Sequence, residues 1–554
     1  MSHTSSIFSR TPIELPNRSG FDMSHENLGT ATCGTLVPVL VDELLPNDTI
    51  SLGANFQVQL PPMATDFYGR VDMVLEAFFV PARLLWGGWK SFMTHPTANP
   101  VYPANTPVQG RSRYMPQIKL SGRLSTDPSE SDTYSGSLAD YLGLKDTYSE
   151  TGYYEVNALP FLAYHRIWDD WYRDSRIQSP LFYSPDSSVP IDELTGERPN
   201  PSYAPFVSGG VDSPFAYSGR AFGSLVTPPG FIDGTFLTDL RQRNWSKDYF
   251  TTASPLPQAG NAATLEFEVE NNTGSFSIAA LRSANSLQKW MERNNIMGYR
   301  YADQIYGQYG CYPSDAIIDK CLYLGRVSQN VYTRSVFQTS QSFGSLTHNP
   351  FSGVATKYGS SQAVGEGSLV DNIRVKEHGF LMVLASLVPH SYYSTGIRRY
   401  LNRKVVGDIA FPLLSGMGEQ AIMQSELDGS RGTVGNTGNS VFGYTDLYAE
   451  YKYHDDEVHG LLVDGNSLQH FALQRGFGGD SDAPIDLSSD FLQIPKNYLD
   501  QVYAAFQSVS GFSCWYDIFF PYKKISTLPE YSIPTLGDLK NVHTKKVSRG
   551  GTRL

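Results

Sequence analysis

GFLMVLASLVP, residues Gly379–Pro389, is an unbroken apolar run with glycine at one end and proline at the other. At about half the ~20 residues of a membrane span, and bounded by two breakers, it predicts a strand buried on both faces. Outward from it, Val71, Met73, Leu75, Ala77 and Phe79 alternate at period two, as do Phe56, Val58 and Leu60, and Leu265, Phe267 and Val269. That period predicts strands with one buried face. Helical spacing is rarer. It joins Phe161, Tyr164, Trp168 and Trp171 on a helix over 160–174, then Ile278, Leu281, Ala284, Leu287 and Met291, and finally Leu499, Val502, Tyr503 and Phe506 after a starting Pro495. The chain reads as mainly β, with a few helices in long connections, rather than as alternating βαβ units.

Composition limits the function classes. The 554 residues carry 43 Lys+Arg against 55 Asp+Glu, a formal charge of −12, with 18% charged and 13% aromatic residues. So many aromatics and so little charge exclude a disordered chain. An acidic balance argues against wrapping nucleic acid over the whole surface, so any such contact is local. Cys33, Cys311, Cys321 and Cys514 form no C-x-x-C pair, which indicates neither a disulfide framework nor a zinc site and suits a reducing compartment. Residues 1–18 lack the apolar centre of a signal peptide, and no run is long enough to span a membrane, so a soluble protein without membrane insertion is expected.

Residues 179–243 hold nine prolines and seven glycines, yet also nine Phe or Tyr. Too rich in anchors for a linker and in breakers for a regular domain, this stretch is expected to be an ordered, outward-facing insertion. A Gly/Asn/Ser-rich tract at 429–440 is expected to be mobile.

Motifs for chemistry are weak. Gly416–Ala421 matches a loose G-x-G-x-x-A pattern, but Pro412 breaks the strand it requires and a glycine-rich tract follows, so it reads as a turn. His454 and His459 flank Asp455, Asp456 and Glu457 at a spacing awkward for metal ligands; Tyr451, Tyr453 and Val458 look like strand positions, and the acids read as a solvated turn. Asp169 and Asp170 are adjacent carboxylates on the aromatic helix. They point about 100° apart and are expected to form a salt-bridged surface with Arg166 and Arg173. No catalytic residue, cofactor site or metal site is assigned. Trp168 and Trp171 are candidates for packing against the sandwich or a neighbouring subunit. Lys540, Lys545, Lys546, Arg549 and Arg553 form a basic tail with no acid over 540–554, the candidate contact for nucleic acid.

Several strings also resemble the major capsid proteins of microviruses, the small single-stranded DNA phages, and most closely the gokushovirus group. They include GTLVPVLVDELLPNDT at 34–49, AFFVPARLLWGGWKSFM at 77–93, SLADYLGL at 137–144, ALPFLAYHRIWDDWYRD at 158–174, DYFTTASPLPQAG at 248–260 and YSIPTLGDL at 531–539, in the family's order. The resemblance implies a viral jelly roll, an eight-stranded antiparallel β-sandwich with large loop insertions. It also implies self-assembly into a T=1 icosahedral shell around a circular single-stranded DNA genome. The expected organisation is an N-terminal arm (1–33), one capsid domain (34–539) and the basic tail. Expected partners are copies of the chain, the genome on the inner surface, minor phage structural proteins and a host surface receptor. The expected location is the virion, with the host bacterial cytoplasm during synthesis and assembly. The family's long insertion should follow 248–260, where only 261–275 precede the next helix. A large three-fold protrusion is therefore not expected there, and 179–243 takes over the surface relief. The competing reading is a β-sandwich carbohydrate-active enzyme or lectin, suggested by the Tyr/Trp content and the excess of carboxylates.

Overall fold

The two strands buried along their whole length pair with each other. β5 (Val71–Pro81) and β13 (Gly379–Pro389) lie antiparallel, with Leu381 opposite Phe79 and Val383 opposite Ala77. Gly379 opens β13 because a Cβ there would collide with the Val80 carbonyl oxygen and the Phe79 ring. β3 (Val37–Leu44) pairs beyond β13 and β10 (Leu322–Asn330) beyond β5, completing a four-stranded sheet. The facing sheet runs β1 (Ser19–Asp22), β17 (Tyr522–Ser526), β4 (Thr49–Gln59), β12 (Lys357–Arg374) and β11 (Tyr332–Phe337). β16 (Cys514–Phe520) also pairs with β4 and carries β2 (His25–Ala31) on its other edge. Separate two-stranded antiparallel pairs are formed by β6 (Gln117–Ser121) with β7 (Tyr153–Asn157), β8 (Ala216–Tyr217) with β9 (Arg220–Ala221), and β14 (Glu419–Met423) with β15 (Val441–Asp446).

This computed structural model describes residues 18–63, 67–85, 136–144, 153–178, 239–257, 320–337, 357–414, 418–432, 439–477, 484–503 and 512–530. It also describes the backbone of β6, β8 and β9 and a few single positions. The predicted strand at 265–269, the predicted helix at 278–291 and most of 179–243 lie outside these residues.

The chain crosses from one sheet to the other between β3 and β4, β4 and β5, β10 and β11, and β12 and β13, and the strand pairs are antiparallel. This is the jelly-roll sandwich that the sequence implied. Among the described residues its sheets hold four and seven strands, the larger one including β1 and β2 from the expected N-terminal arm. Pro521, which has no amide hydrogen to give the ladder, divides β16 from β17, and both halves pair with β4. β1 and β2, within the expected N-terminal arm, pair with β17 and β16.

Leu381, Val383, Ala385 and Leu387 of β13 join Met73, Leu75 and Ala77 of β5 in the sandwich core, opposite Leu52, Phe56, Val58, Ile518 and Phe520. The expectation that β5 buries one face needs correction: all eleven of its residues are buried. Its outward Phe78 and Val80, with Phe380, Met382 and Leu384 of β13, are covered by a second layer built on a helix. The described residues include the α-helices α1 (Leu138–Tyr141), α2 (Leu159–Ile167) and α3 (Ser489–Leu492). Pro160 sits in the first turn of α2, where a missing amide costs no bond, and the Asn157 Oδ1 accepts from the Leu159 amide at 3.0 Å. Eight of the nine residues of α2 are buried. Its Tyr164 hydroxyl donates to the Leu36 carbonyl and accepts from the Arg241 amide, both at 2.8 Å, which ties helix, sheet and the 239–245 segment together.

Glu76 lies among the apolar residues of β5. Its carboxylate accepts from Arg243 Nη1 at 2.7 Å and from the Tyr172 hydroxyl at 2.5 Å, while Arg243 also donates to Ser386 Oγ at 3.1 Å. Burial, followed by the Glu76 charge, pushes the Tyr172 phenol well up, so Tyr172 remains a donor. Removing one member of a buried ion pair costs about 3–5 kcal/mol, because the other charge is left without compensation. Arg243→Met should therefore lower subunit stability by about that much in denaturant titration. Adding Glu76→Gln should recover most of the loss; a double variant as unstable as the single one would show that the pairing is not what stabilises this face.

Candidate functional site

The aromatic helix changes character after α2. Residues Trp168–Tyr172 form one π-type turn, closed by the Arg173 amide donating to the Trp168 carbonyl at 3.0 Å. Trp168 is buried, and its indole Nε1 donates to the Gln242 carbonyl at 2.8 Å. Trp171 is 41% exposed in the subunit; its Nε1 reaches the Cys321 carbonyl at 3.0 Å, and the Lys320 ammonium stands 3.6 Å from its ring centre. Asp169 and Asp170 pair with Arg173 and Arg166 at 2.7 and 2.8 Å. The pairing follows the sequence, but the expected surface placement does not: these side chains are buried or nearly so, because the segment packs on the outer face of the smaller sheet beside Cys321, whose amide donates to Asp170. Each carboxylate is thus committed to an arginine, which removes the paired acids that the carbohydrate reading needed.

A second polar centre had no signal in the sequence, because its members are far apart along the chain. The Asp248 Oδ1 accepts from the Phe250 and Thr251 amides at 3.0 and 2.8 Å, and Oδ2 from Ser391 Oγ and the Tyr393 hydroxyl, both at 2.8 Å. Arg475 donates to Tyr393 at 3.2 Å and to the Phe491 carbonyl at 2.7 Å, and its guanidinium lies 4.8 Å from the Trp245 ring centre. Tyr249, Phe250, Tyr393, Phe442 and Phe491 close a third apolar cluster around it.

Beside this centre is a cleft of about 400 Å³, bordered by 393–403 and 449–459. Its arginines are paired: Arg398 with Glu457, Arg399 with Glu426 at 3.0 Å, and Arg403 with Glu450 at 3.1 Å. The acidic turn flanked by His454 and His459 forms one wall. Contrary to the solvated reading, Asp455 is partly buried and Val458 buried, because the Tyr393 amide and carbonyl bond the Asp456 carbonyl and Val458 amide at 2.9 and 3.0 Å. Tyr451 and Tyr453 are not on a strand: 449–451 form a 3₁₀ turn entered through Tyr448 at φ 63°. His459 is exposed, 3.0 Å from Glu457. Among the described residues no three His, Cys, Asp or Glu side chains gather as metal ligands. Gly418 leads into β14, so a strand stands where a dinucleotide fold places a helix.

Other readings meet the structure unevenly. Leu499, Val502 and Tyr503 join the sandwich core, although 498–501 form a 3₁₀ turn rather than the start of a long helix, and Phe506 lies outside the described residues. Of the tract expected to be mobile, 429–432 form a 3₁₀ turn and 433–438 lie outside the described residues. Lys540, Lys545, Lys546, Arg549 and Arg553 also lie outside them. Cys33, Cys321 and Cys514 are buried free thiols.

A two-sheet jelly roll with large insertions and polar centres spent on internal ties has the geometry of a structural subunit. The model of the family described as Capsid protein (F protein) matches residues 9–536. The chain belongs to the capsid protein family. It is 26% identical to Capsid protein VP1 of Chlamydia phage 1, across 96% of this chain and 97% of that relative. It is 24% identical to Capsid protein VP1 of Bdellovibrio phage phiMH2K (83% and 85%) and 25% identical to that of Spiroplasma virus 4 (94% and 95%). These matches bear out the resemblance to the gokushovirus capsid proteins. As a capsid protein the chain has a structural rather than an enzymatic role, associates with its own copies and resides in the virion. No helix among the described residues is long and apolar enough to cross a membrane. Nothing in the comparisons favours the enzyme or lectin reading.

Two outcomes follow for this capsid subunit. Trp168→Ala should cost about 3–5 kcal/mol of subunit stability in denaturant titration, and Trp171→Ala clearly less, since Trp171 keeps much of its surface in water; equal losses would contradict the placement of the two rings. The second concerns Asp455. Burial, then the Asp248 and Glu457 charges, raises its carboxyl to about 7. The folded state therefore holds a proton that the unfolded chain has already released, and stability falls as pH rises from about 4 to about 7. Melting curves across that range should fall for the wild type relative to Asp455→Asn, and parallel profiles would refute the assignment.

Proposed function

We propose that this capsid protein builds a T=1 icosahedral shell around a circular single-stranded DNA genome. The observation that carries the reading is the family match across 9–536, joined to the jelly-roll sandwich. Synthesis and assembly would take place in the host bacterial cytoplasm. Minor phage structural proteins and a host surface receptor complete the set of partners, with 179–243 supplying surface relief toward the host. Trp171, half covered within its own subunit, is offered as a contact to a neighbouring copy.

The tail 540–554 is assigned to the genome. Its five cations stand without an acid in a chain of net charge −12, and a flexible basic segment can follow unpaired strands without a preformed groove. Many tails facing one enclosed strand add through local concentration, so weak individual contacts suffice to retain DNA. If all five cations meet phosphates, the log of affinity for single-stranded DNA should fall with log salt at a slope of about −0.7 × 5, or −3.5. Deleting 540–554 should flatten that slope in free subunits and reduce DNA per particle. Unchanged values in both assays would return the tail to a solvated end. Cryo-EM of wild-type particles tests the shell itself.

A further inference from the structure

After β13 the chain passes through the cleft wall and emerges as an arm at 404–414. The base of the arm is held to its own subunit by the Arg398–Glu457, Arg399–Glu426 and Arg403–Glu450 pairs. Among the described residues, the backbone beyond Arg403 forms local turns, with bonds from Asp408 to Val405 at 3.0 Å, Ile409 to Val406 at 3.2 Å and Leu414 to Phe411 at 2.9 Å. The Asp408 carboxylate fastens the first turn by accepting from the Lys404 and Val405 amides at 2.7 and 3.0 Å, and these bonds hold its carboxyl below the usual range. The arm has a defined shape, yet its side chains are largely apolar and in water. Val406 is 72% exposed, Val405 65%, Ile409 50% and Leu413 94%.

Single exposed apolar residues are ordinary, but a row of them on one projecting segment marks an interaction surface. Its charge narrows the partner. Lys404 and Asp408 are the charged residues of 404–414 and cancel, while the arginines at the base are paired within the subunit. Such a surface offers nothing to phosphates, which require clustered cations, and fits an apolar protein surface. Self-association is the association that family membership establishes for this chain.

We propose that residues 404–414 form an assembly arm that docks its apolar face, centred on Val406 and Leu413, onto a second copy of this chain. The proposal rests on self-assembly, which wild-type particles control for; if those do not form, it is the shell reading that fails. Two measurements on the full-length chain test the arm. A photoreactive benzoylphenylalanine in place of Leu413 should, on irradiation of assembled particles, give an adduct of twice the subunit mass, with peptides from two copies. The Val406→Asp, Leu413→Asp variant should keep the wild-type melting temperature as a free subunit while particle yield falls about tenfold or more, as expected when two apolar anchors are lost from each contact. Crosslinks confined to one chain, or made to a different protein, would overturn the proposal. So would normal particle yield, or a lower subunit melting temperature, which would show that the arm is covered by its own chain.

Discussion

The outer face of the smaller sheet cannot be left in water. β5 and β13 carry apolar side chains on both sides, and at about 25 cal/mol per Å² an uncovered face of large aliphatic and aromatic groups would undo much of what the sandwich core contributes. A jelly roll needs only the inner faces of its sheets, so the demand for a second layer comes from this sequence rather than from the topology. Helix α2 meets it, and for that reason a helix in a β protein is buried on nearly all sides. The chain between β5 and β10 is therefore partly a structural layer as well as an insertion, with its helix and the 239–245 segment tied to the sheet through Tyr164, Trp168 and Arg243.

Double-sided burial also explains where the buried charge sits. Glu76 occupies the outward face of β5; Arg326 of β10 stands opposite it in the register but is exposed, and the buried donors to the carboxylate are Arg243 and Tyr172, far along the chain. Apolar contacts tolerate sliding, whereas a fork of hydrogen bonds to one carboxylate does not. The apolar layer thus supplies attraction and the Glu76 centre supplies register. Asp248 does the same for the chain leaving β13, using both oxygens to join 248–251 to Ser391 and Tyr393.

Legibility follows the range over which each signal acts. β13 was readable from its unbroken apolar run, and β4 and the aromatic helix from their periodicity, all of them local signals. β1 and β2 were not, since SGFD and HENLGTA have no apolar alternation and become strands by occupying the free edges of β17 and β16. β12 was also hidden: eighteen residues rich in Gly and Ser are shaped by pairing with β4 and β11 on either side, with irregularities at Ser368 and Val370 that local propensity does not encode. The cleft combines residues near 249, 398, 426, 450 and 455, and no spacing within one segment could announce it.

A capsid subunit has to be stable alone and adhesive in company, and the distribution of polarity in this chain separates the two demands. Strong, geometrically exacting groups are turned inward: Asp170, Glu76 and Asp248 all meet donors from their own subunit. What remains outside at 404–414 is apolar, locally shaped and nearly free of charge. Apolar contact is undirected and modest per residue, so a single encounter between copies is reversible, while a closed shell multiplies the same contact by symmetry. Directed ion pairs at that surface would have made each encounter harder to correct. Keeping them inside leaves the contacts between copies weak enough to rearrange and numerous enough to hold.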